Sequence, residues 1–191
     1  MKIMNAMQAY ANPHFSIFAL FAFLLSFVCT AQEVQQNPFM EMVGKPYAEN
    51  WSQLSNDYYL FRLLDSLEEQ NFIRQIEEVA QKTGSLEWQL EVEFFESLRL
   101  GKRVTSQTDS LREKYINALT ILLKKTEKTS VRHLELQVRQ EIIDYCSLWS
   151  PIKNYELAFE LYAIQDERLR DVSSTDIPEK ANYYVSYANA F

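Results

Sequence analysis

Glu91, Glu93 and Glu96 fall within a single stretch of six residues, and Glu87 stands one helical turn before Glu91. Carboxylates so spaced can work as a general acid and base or chelate a hard cation such as calcium. The same spacing also makes a solvated helix face. Trp88, Val92, Phe95 and Leu98 take one side of the helix and leave the three glutamates nearer water, which favours the solvated face. His133 is the one histidine after His14, and it falls in the first turn of a helix. It lacks the partners of a zinc site and the nucleophile elbow of a hydrolase, so it reads as a surface residue. Cys146 lies within an apolar helical stripe and reads as a small buried residue rather than a reactive thiol. Gly44, Gly84 and Gly101 are scattered, which leaves no phosphate-cradling loop. No catalytic, cofactor-binding or metal-ligating set is therefore expected, and the chain reads as a non-enzyme.

The elements around these residues follow from composition. Apolar residues make up 47% of the 191 and charged residues 24%, the balance of a folded globular chain. After position 46 only Pro151 and Pro178 interrupt it, so an all-α fold is expected. A formal charge of −7 without a compact basic patch speaks against nucleic acid as a partner.

Residues Ile17 to Val28 form an uncharged, mostly apolar run of twelve, followed by Cys29, Thr30 and Ala31. A membrane-spanning helix needs about twenty residues, so a secretory signal peptide over 1–31, cleaved after Ala31, fits better. The expected location is exported and periplasmic. An uncleaved membrane anchor is the alternative, and lipidation at Cys29 is a third course that the bulky Phe27 and Val28 disfavour. Removing the leader leaves Cys146 as the sole cysteine and no internal disulfide.

From 32 to 54 the chain is polar, carries Pro38, Gly44 and Pro46, and reads as a linker. A helical-repeat domain is expected over 55–191, as hairpins at about 55–83, 85–127 and 130–170 with a half repeat at 178–191. Ser55 or Asn56 can cap the first helix, with Leu60, Leu63, Leu64 and Leu67 on one side. Gly84 suits a left-handed helix end, Ser85 a cap, and Gly101 the end of the next helix. Ser110-x-x-Glu113 forms a capping box, and Pro151 forces a turn after the helix opened by Ser130.

A stripe recurs. Ile142, Tyr145, Cys146 and Trp149 are echoed 42 positions later by Tyr184, Tyr187, Ala188 and Phe191, and between them lie Tyr155, Ala158 and Tyr162. Tyr115, Ala118 and Leu122 carry the second of these patterns upstream. Bulky, small and aromatic residues at a fixed period mark hairpins that bury their apolar faces against one another.

In this pattern the chain resembles tetratricopeptide-repeat proteins over roughly 85–191, although Gln165 stands where that family has a small residue. The resemblance implies antiparallel helical hairpins stacked as a short right-handed α-solenoid, with Ala118 and the eleven stripe residues named between Ile142 and Phe191 packing repeat on repeat. It also implies a scaffold that binds a protein or peptide in the groove of its first helices, those of Trp88, Leu134 and Tyr184. An exported stack of this kind is similar to the input regions of membrane sensor and regulator proteins of Bacteroidetes. A periplasmic input domain of a truncated receptor or transcriptional regulator is thus the alternative function. Neighbouring helix residues point about 100° apart, so one tyrosine of each pair, Tyr58–Tyr59 and Tyr183–Tyr184, must face outward. The uncovered aromatic face of Tyr184, Tyr187 and Phe191 also offers a surface for self-association.

Overall fold

The computed structural model describes residues 37–104, 109–129, 131–150 and 153–190. The leader with its cleavage site, residues 32–36 of the linker, Ser130, Pro151 and Phe191 lie outside the described residues. Among the described residues there is no strand, and seven α-helices follow a short 3-10 turn over Pro38–Met42. None of these helices is long and apolar enough to cross a membrane.

The first helix, α1 (Tyr47–Phe61), starts inside the stretch expected to be a linker. Pro46 fixes its own φ at −54° and needs no amide partner, which suits the residue that leads into a helix. Trp51, Leu54, Tyr58 and Phe61 then recur at three and four residues and are all buried. Ser55 and Asn56 consequently sit mid-helix rather than at a helix start. The chain leaves α1 at Arg62, and Asp65 opens α2 (Ser66–Thr83) with a capping box, accepting from the amides of Leu67 and Glu68 while Glu68 reaches back to the Asp65 amide. That break splits the expected leucine stripe and leaves Leu60, Leu63 and Leu67 exposed. Lys102 Nζ donates to the carbonyls of Leu64 and Phe61 and pairs with the buried Glu69, so a cation sits at the negative end of α1.

Gly84 ends α2 with φ of 62°, its amide donating to Ala80 O. The Ser85 hydroxyl accepts from the Trp88 amide at the start of α3 (Leu86–Lys102). Gly101 does not end this helix but lies within it. A Cβ there would come within 2.7 Å of the Tyr115 ring on α4 (Asp109–Thr126), so the two helices approach through the missing side chain.

The next helix, α5 (Arg132–Asp144), runs on into a π turn over Tyr145–Trp149, in which Ser150 N donates to Tyr145 O at 2.7 Å. The wider turn shifts register, so the stripe expected to run through Trp149 stops short. Ile142, Tyr145 and Cys146 are buried, whereas Trp149 is 70% exposed. Asn154 caps α6 (Tyr155–Arg170), and α7 (Lys180–Ala190) follows a tight connection.

Packing follows chain order. Helix α2 lies on α3, α3 on α4, α4 on α5 and α5 on α6, while α1 also packs on α3 and α7 on α5. The result is an all-α, hairpin-rich architecture compatible with a tetratricopeptide-like fold. Helix α1 reaches farther than a first repeat would. Tyr58 packs against Phe94 and Phe95 of α3, Arg62 pairs with Glu141 of α5, and Trp51 stacks on His133 of α5 at 4.8 Å. Trp51 Nε1 also donates to Glu179, just before α7, at 2.9 Å. Most buried apolar residues from α1 to α6 form one core, and Leu136, Leu169, Val172, Ile177 and Tyr183 form a second, smaller one.

Candidate functional site

The three glutamates are not one face. Trp88, Glu91, Phe95 and Leu98 recur at three and four residues, so Glu91 belongs to the buried stripe of α3 and is completely enclosed. Both its oxygens accept from Tyr58, at 2.7 and 2.8 Å, and Tyr47 donates to it as well. Burial pushes its carboxyl up to about 7, against the pull of the two tyrosine hydrogen bonds. Glu93 instead pairs with Lys125 at 2.6 Å, and Glu96 with Arg99 at 2.5 Å. The trio is therefore dispersed, with no shared proton and no common chelate.

Other buried charges are braces of the same kind. Glu141 takes Arg62 and the hydroxyl of Tyr115. Arg139, fully enclosed, donates to Glu135 at 2.7 Å and to Glu127 at 3.0 Å. Glu141 joins α5 to α4 and to the end of α1, Arg139 joins α5 to the end of α4, and removing one partner would strand a charge in the interior. Among the described residues no group of three or more His, Cys, Asp and Glu is placed to hold a metal ion.

His133 is half-buried rather than on the surface, because α1 lays Trp51 across it. Its Nδ1 has no hydrogen-bond partner among the described residues, and burial holds the imidazole below its ordinary value. Cys146 is buried, and that burial raises its thiol.

A concave surface lined by exposed rings lies between α6 and α7, a cleft of ≈ 450 Å³. Phe159, Tyr162 and Asp166, spaced by three and four, share one face of α6, and Tyr184 and Tyr187 meet them from α7. Phe159, Tyr184 and Tyr187 are 47%, 40% and 43% exposed. Tyr162 and Tyr187 stand edge to face, 4.5 Å between centroids at 76°. Tyr184 donates to Asp166 Oδ1 at 3.2 Å, and Arg170 holds Oδ2 at 3.1 Å. Gln165 lines the inner wall, only 1% exposed. Its Nε2 donates to Gln140 Oε1 at 2.6 Å, and its Oε1 has no partner among the described residues. A glutamine stands where a small residue was expected because it bridges α6 to Gln140 of α5.

The stripe residues divide accordingly. Ile142, Tyr145, Cys146, Ala158 and Tyr162 are buried, and Ala118 is half-buried. Trp149, Tyr155, Tyr184, Tyr187 and Ala188 are exposed, Tyr187 while standing edge to face with Tyr162. On α7 the buried tyrosine is Tyr183, one residue from the position expected, and in each tyrosine pair one ring is in and the other out. Trp88 and Leu134 are both buried, with Tyr47 of α1 set edge-on against Trp88 and Trp51 over His133. Sequence spacing already held the signal for Glu91 and Asp166, since each continues an aromatic stripe at three and four residues. Charge type masked it. Comparison of the chain with protein-family models, with curated proteins and with solved structures finds no match in any of the three.

Proposed function

We propose that this chain is an exported helical-repeat scaffold, a short right-handed solenoid of tetratricopeptide-like hairpins, which binds a peptide or protein through the α6–α7 cleft. Export rests on the apolar run Ile17 to Val28 and the small residues before Gln32. The repeat assignment rests on the recurring stripe and on helices that pack in chain order.

The observation that carries the binding role is the cleft, where three exposed aromatic rings line a concavity of ≈ 450 Å³. Leaving such rings in water has a free-energy penalty that a partner relieves, and tyrosine provides large, stiff contact area with a polar tip. The volume falls within the range of about 300–1,000 Å³ typical of ligand sites. Trp88 and Leu134 are themselves buried, whereas at the α6–α7 end an incoming chain finds accessible rings gathered in one concavity.

The test is selection from a displayed random-peptide library on the parent protein, followed by titration of the selected peptides against the double variant Tyr184→Ala/Tyr187→Ala. Affinity should fall about tenfold or more while the helical circular dichroism stays the same. Selected peptides that bind both proteins equally would place recognition elsewhere.

A further inference from the structure

The geometry points to a specific chemistry in this cleft: it takes the cationic side chain of a basic peptide, held against the faces of Tyr184, Tyr187 and Phe159 and beside the carboxylate of Asp166. This inference rests on the peptide-binding function proposed above and narrows it to one ligand class.

The functional groups facing the cleft are electron-rich. Tyrosine and phenylalanine faces carry the negative part of the ring quadrupole, which draws an ammonium or guanidinium group to within about 6 Å of the centroid. Tyr162 and Tyr187 meet nearly at right angles and form a corner rather than a flat stack. Asp166 is an acceptor. The one amide on the inner wall, Gln165, has its donor committed to Gln140, so only its acceptor side remains. The cation at the rim, Arg170, is 69% exposed at its side chain and joined to Asp166 by a single pair at 3.1 Å, a contact an incoming lysine can replace.

Charge agrees over a longer range. Residues 155–190 hold seven acidic and three basic side chains, so this segment alone supplies more than half of the chain's net −7. Such a field attracts a basic chain and repels an acidic one. A neutral apolar peptide would cover the rings and desolvate the Asp166–Arg170 pair without bringing a charge to offset that loss, which is unfavourable.

The experiment uses the whole protein and fluorescence anisotropy. The probes are a labelled Gly/Ser peptide carrying spaced lysines, its norleucine counterpart, and free butylammonium as competitor. The lysine peptide should bind, and the norleucine peptide about tenfold more weakly or worse. Tyr187→Phe, which keeps the ring face, should preserve binding, whereas Tyr187→Leu should lose about tenfold. Asp166→Asn should weaken binding and flatten its dependence on salt. Both are surface positions, so these variants should keep the parent's circular dichroism.

Equal affinity for the norleucine peptide would overturn the cationic assignment while leaving peptide binding intact. Butylammonium competing as well as the peptide would make this a small-ammonium site and overturn the peptide assignment. Full binding by Tyr187→Leu would move recognition away from the cleft. If no probe binds and the protein instead self-associates in a manner that Tyr187→Leu abolishes, a second copy is the occupant, and both the cationic assignment and the proposed function fail.

Discussion

Glu91 is a carboxyl group held between two tyrosine hydroxyls, and its burial determines how stability responds to pH. In the unfolded chain it ionises near 4.5, and in the folded chain near 7. Between those values unfolding releases a proton, so stability falls as pH rises through this window and the loss is complete above about 7. The shift corresponds to a loss on the order of 3 kcal/mol. Asp57 and Asp144, both pushed up to about 6 by burial, act in the same direction. Glu91→Gln retains an acceptor for one tyrosine and cannot ionise. Urea denaturation should show the variant more stable than the parent at pH 8 and much closer to it at pH 5. A parallel pH profile for the two proteins would show that Glu91 is already ionised inside. The residue-scale signal was partly legible in the sequence. Tyr162, Tyr184 and Tyr187 stood out by spacing, but whether an aromatic stripe is covered depends on which helix lies over it, and that is a property of the assembled molecule.

Among the elements, the contact between α3 and α4 hinges on Gly101. Replacing an exposed helical glycine by alanine ordinarily stabilises by up to about 1 kcal/mol. Here the added Cβ would lie 2.7 Å from the Tyr115 ring, which is fixed edge-on against Tyr145 at 5.1 Å and bonded to Glu141. Overpacking should outweigh propensity, and Gly101→Ala should lose about 1–2 kcal/mol in chemical denaturation. A gain would mean that Tyr115 can swing aside. Helix existence was legible from apolar spacing and from the scarcity of glycine and proline. Two features were hidden. The Trp51, Leu54, Tyr58 and Phe61 stripe of α1 straddles the boundary where a polar, proline-bearing stretch reads as linker. The π turn at Tyr145–Trp149 breaks the 3.6-residue period itself, so a stripe projected through it puts Trp149 on the wrong side.

On the scale of the whole molecule, Trp51 ties the first helix to the last connection. Its buried indole stacks on His133, tilts against Tyr58 at 5.8 Å and donates to Glu179. Trp51→Ala should lose about 3–5 kcal/mol in urea denaturation, a large share of a typical domain's stability. Hydrogen exchange should quicken in the first turn of α5 and at the start of α7 while the α3–α4 pair keeps its protection. Uniform quickening would mean that Trp51 supports the core at large rather than this tie. The Trp51–Glu179 bond joins residues 128 apart in a chain whose other helices mainly meet their neighbours in order. On the ribosome, Trp51 is therefore made long before its acceptor. The neighbouring coils can assemble as they emerge, but the indole must wait for 128 further residues before its carboxylate partner arrives, and until then it is a point where a chaperone or a stray chain can attach.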